Sequence, residues 1–200
     1  FIDANIPNKK NLSYIGPVLK GSGYIAGKLL NSTLGPTEDI LVVNLVKGLE
    51  NSAHTGTVEK GFREFFKSNT VLNSRKINSI TIPTTLEAEV NRELTKYYIK
   101  NPGTKGVFVS NSRAHLISRY HALHELDIKV VGFDTVPGNV AELKNGNIDY
   151  IISQRPVFQG VTAVKTLFDF FVYKKSPAAV QYVPLDIIIK ENVDYYINFQ

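Results

Sequence analysis

The stretch Gly106–Gln154 reads GVFVSNSRAHLISRYHALHELDIKVVGFDTVPGNVAELKNGNIDYIISQ, and its reading decides the fold. GVFV is short, apolar and β-branched, with a glycine before it and a polar Ser-Asn-Ser after it. KVVGF repeats that form and runs into Asp134; IDYIIS repeats it again and runs into Gln154. Helical stretches separate the three strands, which makes βαβ units and hence a parallel sheet. Each strand is followed by a polar residue able to bond a ligand: Asn111, Asp134 and Gln154. In open α/β sheets, ligands lie outside the carboxyl ends of the strands. Asn and Asp also serve as turn residues and helix N-caps, so Asp134 has the alternative role of capping a helix that opens near Pro137.

The same alternation extends outward. FIDANI (1–6) starts as a strand and ends in turn chemistry, and NLSYIG (11–16) is a second short strand. A glycine-rich helix over 20–30 carries Gly21, Gly23, Ala26 and Gly27, small residues suited to close packing. The breaker-rich NSTLGPTED follows, and then a strand core at 40–46. A helix over 55–68 lines up Val58, Phe62, Phe65 and Phe66 on one side. Next come the strand INSITIP and a helix over 85–100 with Thr84 or Thr85 at its N-cap. Beyond Gln154, a long helix over 157–173 leads through a linker to the final strand QYVPLDIII and a polar, aromatic tail. Parallel strands are expected near 40–46, 77–82, 106–109, 128–133 and 148–152, with helices on both faces of the sheet.

Composition narrows the function. The chain has 200 residues, 43% of them hydrophobic and 20% charged, as in ordinary globular proteins. It has no cysteine, which removes disulfides and thiolate metal sites. No apolar run is long enough to cross a membrane, and no signal-peptide pattern opens the chain. The chain opens inside an apparent strand at Phe1, which reads as a fragment of a longer protein. The net charge of +5 is scattered rather than gathered into a nucleic-acid stripe. The P-loop, the dinucleotide fingerprint, the nucleophile elbow and H-E-x-x-H are all missing, so no enzyme and no cofactor is expected. His115, His121 and His124 share one region, and His121 and His124, at i and i+3, fit one helix face; with no third ligand evident, a packed or surface pair fits better than a metal site.

A polar constellation is left: Asp3, Asn111, Asp134 and Gln154. Carboxylates and amides at fixed strand ends suit a polyol or sugar, whose hydroxyls both donate and accept. Tyr14, Phe133 and Phe158 are candidate rings to cover a sugar's apolar faces.

The runs GVFVSNSRAHLISRYHALHE, IKVVGFD and IDYIISQRPVFQG resemble the ligand-binding domain of LacI-type transcriptional regulators, which is itself similar to periplasmic sugar-binding proteins. FIDANI, NLSYIGPVLKGSGYIAGKLL, ILVVNLVKG, Gly61-Phe62 and PLDIIIKENVDYY extend the likeness over nearly the whole chain. The resemblance implies a doubly wound α/β protein of two Rossmann-like lobes joined by three crossovers, with a ligand between them and the N-terminal lobe incomplete here. It divides the chain into a C-terminal lobe of about 36–135 with 180–200 and an N-terminal remnant of about 1–35 and 136–179. By the resemblance, Asp3, Asn111, Asp134 and Gln154 match positions that bond ligand hydroxyls. The arginine that members often carry just before Gly-Phe is missing from Thr55–Lys60.

The resulting expectation is a cytoplasmic sensing domain whose small-molecule effector is a sugar. It would act on DNA through a headpiece outside this chain and have no membrane partner. The alternative is a periplasmic solute-binding protein feeding a transporter or a membrane sensor. A homodimer is expected through Leu116, Ile117, Tyr120 and Leu123 of the helix over 112–126, which carries more apolar surface than one sheet contact needs.

Overall fold

A computed structural model describes residues 1–4, 9–46, 52–68 and 75–199. Its centre is a six-stranded sheet of β2 (Asp39–Leu45), β3 (Ile77–Ile82), β4 (Thr104–Val109), β5 (Lys129–Phe133), β6 (Tyr150–Ser153) and β8 (Asp186–Ile188). The order is β3-β2-β4-β5-β6-β8, parallel throughout except for β8, which pairs antiparallel with β6 at one edge. The five parallel strands are those the sequence led us to expect. The order reverses between β2 and β4, so a crevice opens at their carboxyl ends, as in other doubly wound sheets.

Strand periodicity sorts the core onto two faces. Leu41, Val43, Val107, Val109 and Val130 face one side, where they meet α3 (Glu87–Lys100), α4 (Ala114–Leu123) and α5 (Pro137–Lys144). Ile40, Val42, Phe108, Val131 and Phe133 face the other, under α1 (Leu19–Thr33) and α2 (Ser52–Lys67). Strands covered on both faces account for the near-continuous apolar runs.

The glycines of α1 serve a helix–helix contact. A Cβ on Gly23 would lie 1.9 Å from the Val58 carbonyl oxygen, and one on Gly61 would lie 1.9 Å from the Lys20 carbonyl oxygen. Neither backbone atom can yield without the helices separating. Gly56, on the same helix α2, has nothing within 4 Å of its Cβ position. Gly61→Ala is therefore expected to lower stability by about 2 kcal/mol, as overpacking outweighs the gain in helix propensity. Gly56→Ala should raise it by about 0.5–1 kcal/mol. Denaturant melts of the two variants check both signs, and equal effects would refute the close approach.

A second, smaller unit holds β1 (Tyr14–Gly16) paired parallel with β7 (Val180–Tyr182), and α6 (Pro156–Tyr173) beside them. Its described core is Ile15, Ala163 and Val183. Much of α6 is bare: Val161, Val164, Phe168 and Phe171 are exposed.

Several expectations need correction. Sheet pairing and packing put α1, α5 and β6 in the six-stranded unit, so the bounds 1–35 and 136–179 do not describe the smaller unit. FIDANI gives only an isolated bridge, Ile2 to Ile15, with residues 5–8 outside the described range. QYVPLDIII splits into β7 and β8 at Pro184, which has no N–H for a ladder, and the chain changes sheets there. Leu86, not Thr84 or Thr85, precedes α3; the Thr84 hydroxyl accepts from the Leu86 N–H instead. The tail forms a helix, α7 (Val193–Asn198), with Val193 buried against the sheet. Leu116, Ile117 and Tyr120 of α4 are buried in the chain's own core, and of the four residues read as an interface only Leu123 is exposed. The apolar surplus that suggested a dimer is thus used inside one chain.

Candidate functional site

Asp134 leaves the end of β5 in a left-handed conformation, φ 63°. Its N–H donates to the Ile152 carbonyl at 3.0 Å, which ties it to β6. Its carboxylate accepts from the Gln154 backbone N–H. Burial, and then the negative charge of Asp3, push its carboxyl up to about 6; the Gln154 bond opposes them. No side chain caps α5, whose N-cap is Val136, so the capping role is not what holds Asp134 in place.

Asp3 is also left-handed, φ 62°, and its N–H donates to Ile15 at 2.9 Å. It belongs to the smaller unit and is exposed, yet its charge is felt at Asp134. Gln154 is buried at the end of β6, and its carbonyl accepts from the Gln159 amide at 2.8 Å. Asp3, Asp134 and Gln154 are therefore brought together where the two units meet. Two carboxylates thus stand at this junction beside Gln154, and both carry left-handed backbone, which is costly for residues other than glycine.

Asn111 sits at the β2/β4 crevice. Its amide donates to the Leu45 carbonyl at 2.6 Å, and its oxygen accepts from the Arg113 N–H at 3.2 Å. It stitches the crevice shut at that point and retains one amide hydrogen. Beside it, the Ser110 hydroxyl donates to Asn44 Oδ1 at 2.6 Å, and Asn44 donates to Glu59 at 2.8 Å. Burial works against the charged form of Glu59, but the bonds from Ser79, Asn44 and Arg63 outweigh it and hold its carboxyl below the usual range.

The aromatic candidates do not gather around this edge. Phe133 has no exposed surface; it follows the inward register of β5 and packs edge-on to Phe108 with ring centres 5.8 Å apart. It is a core residue, not a stacking platform. Tyr14 is likewise buried, and its hydroxyl lies 3.1 Å from the Asp3 carbonyl and 2.9 Å from that of Pro17, donating to one at a time. Burial and the nearby Asp3 and Tyr182 push that hydroxyl up to about 12. Tyr14 thus supports the backbone of Asp3 rather than covering a ligand. Phe158 is half exposed, but it lines a separate 420 Å³ cavity with Arg155, Val161, Asp186, Tyr196 and Phe199.

His121 is buried, His115 is half-buried and His124 is exposed. His115 bonds Asn139 at 2.9 Å, His121 bonds the Tyr98 hydroxyl at 2.7 Å, and the His124 ring lies 4.3 Å from that of Tyr120. Burial pulls His121 down to about 3, so it is neutral. Among the described residues no group of three or more His, Asp or Glu is placed to hold a metal ion.

Sequence reasoning missed Asn139. This fully buried residue of α5 donates to the carbonyls of Phe133 (2.7 Å), Asp134 (3.0 Å) and Ser112 (3.2 Å). Its oxygen accepts from the His115 N–H at 2.9 Å. It thereby ties the loop after β4 to the loop after β5. The available signal was an Asn inside a helix, where it is a poor helix former.

A family profile described as a periplasmic binding protein domain matches residues 1–175. A search of the curated proteins matches none. Among solved structures, a candidate LacI transcriptional regulator from Bacteroides fragilis is 28% identical with a TM-score of 0.89, over 98% of this chain and 68% of that one. GanP, a glucose-galactose binding protein from Geobacillus stearothermophilus, is 20% identical with a TM-score of 0.82, over 96% and 67%. A carbohydrate transporter solute binding protein from Agrobacterium radiobacter, solved with D-arabinose, is 20% identical with a TM-score of 0.85, over 98% and 68%. The chain thus spans about two thirds of the length of each.

Proposed function

The chain belongs to the periplasmic binding protein domain family, and from that premise we propose that it is the sugar-sensing part of a LacI-type transcriptional regulator. The observation that carries ligand binding is the meeting of Asp3, Asp134 and Gln154 at the junction of the two units. Each group sits at a strand end or crossover, so a ligand held there touches both units at once. Bonds from ligand hydroxyls to a carboxylate contribute roughly 1.5–3 kcal/mol each. A ligand that bonds both units favours one relative orientation over others, by no more than its difference in affinity for them.

The regulator reading is supported by the 28% identity to the Bacteroides fragilis protein, against 20% for each of the two solute binders. A solute-binding protein of a transporter remains the second reading, favoured by the high TM-scores to GanP and the arabinose-bound protein. In both readings the domain binds and releases its ligand unchanged. The small unit is then part of a second lobe, whose further strands would cover the bare face of α6.

A thermal-shift series on the full chain with D-arabinose, D-ribose, D-glucose and D-galactose, each beside a nucleoside and an amino acid, tests the ligand class. A sugar at 100 times its dissociation constant should add about 2.7 kcal/mol of stability. Stabilisation by the nucleoside or the amino acid alone would overturn the sugar reading. The coding sequence ahead of Phe1 separates the two roles. A helix-turn-helix supports the regulator in the cytoplasm, while a signal peptide or lipoprotein cysteine supports the solute binder.

A further inference from the structure

The chain crosses between the two units at residues 17–18, 154–155 and 183–185. At the second crossing Arg155 adopts a left-handed backbone, φ 52°, directly between β6 and α6. Its guanidinium bonds both oxygens of Asp186, Nε to Oδ2 and Nη2 to Oδ1, each at 2.6 Å. Asp186 is the first residue of β8, immediately past the third crossing, and it stands opposite Ser153 in the antiparallel pairing. The Ser153 hydroxyl accepts from the Arg155 N–H at 3.2 Å and bonds the Tyr196 hydroxyl of α7 at 2.6 Å. Among the described residues, the other ion pairs lie within the six-stranded unit.

We propose that Arg155 and Asp186 form a latch across two of the three crossings and set the angle at which the two units meet. A two-point guanidinium–carboxylate pair fixes orientation as well as distance. Both crossings must therefore turn together, or the pair must break. The two side chains keep 39% and 22% of their exposure, so solvent reaches the pair, and its effect on the hinge is read from the angle between the units rather than from stability. Arg155 and Asp186 act here as positioning residues beside Gln154, and the latch stands on the two-unit geometry whether or not the ligand is a sugar.

The test needs no ligand. These 200 residues contain no cysteine, so Lys100→Cys on α3 and Lys165→Cys on α6 accept one spin label in each unit. Both lysines are exposed. Pulsed electron resonance on the full chain reads the distribution of inter-label distances. The parent should give one narrow distribution. Asp186→Asn and Arg155→Gln should each add a second population, and the double reversal Arg155→Asp with Asp186→Arg should restore one. Arg155→Lys, which keeps the charge but loses the fork, should fall between and remains informative if the neutral variants do not fold. A single narrow distribution in Asp186→Asn, in Arg155→Gln or in the lysine variant would overturn the latch.

Discussion

Asp134→Asn is expected to raise the melting temperature of the unliganded protein by roughly 6–12 °C near pH 7.5 and to weaken ligand binding about tenfold or more. The stability half follows from burial. The Asp134 carboxyl titrates near 6 in the fold against an ordinary 3.8, because burial and the neighbouring Asp3 both disfavour its charge. Between those values the native state holds more protons than the unfolded chain, so stability falls as pH rises. The full cost, on the order of 3 kcal/mol, is present above about pH 6 and gone below about pH 4. Asparagine keeps the shape and an oxygen for the Gln154 N–H, and it carries no charge. The gain should therefore shrink as pH drops and vanish near pH 4. The binding half follows because a charged acceptor is lost, roughly 1.5–3 kcal/mol or ten- to a hundredfold in dissociation constant. Melts across the pH range, beside calorimetric titration of the sugar that shifts the parent most, check both halves. A lowered melting temperature at pH 7.5 would refute the burial argument; unchanged affinity would remove Asp134 from the site.

Asn139→Ala is expected to cost about 3 kcal/mol, or roughly 6–12 °C of melting temperature. The side chain satisfies the carbonyls of Phe133, Asp134 and Ser112 and the N–H of His115, all around a buried point. Alanine leaves these groups without partners and opens a small void. Each buried polar group left unpaired costs about 1–3 kcal/mol. Because the bonds reach the loops after β4 and β5, and one of them ends on the Asp134 carbonyl, ligand affinity at the proposed site should fall too. Asn139→Asp, which keeps the acceptor but loses the donors, should be nearly as damaging. A melt within 2 °C of the parent for both variants would refute the role.

The local pattern carried the positions of these residues unevenly. Asp134 and Gln154 were visible because a buried parallel strand announces itself as an apolar run, and the polar residues that follow it mark the sheet edge. Asn111 was visible for the same reason, but its work of bonding Leu45 across the crevice depends on strand order, which no local pattern carries. Phe133 and Tyr14 were misread because aromatic content says nothing about which way a ring turns. The alternation along β5 puts Phe133 inward, and the Asp3 and Pro17 carbonyls hold Tyr14. Thr84 and Thr85 looked like caps since both side chains suit one, yet the helix starts past them.

The sequence by itself determined the βαβ alternation, the five parallel strands and the strand-end polar residues, because apolar runs, breakers and helix periodicity are local properties of the chain. Tertiary structure alone decided where the two units divide, since α1, α5 and β6 join the larger sheet through contacts made far along the chain. It alone decided that the apolar face of α4 is core, and that Pro184 separates two strands belonging to different sheets. It also decided the charge state at the site. Asp3 and Asp134 lie 131 positions apart, and only the fold brings two carboxylates close enough, in surroundings dry enough, for one to resist ionisation.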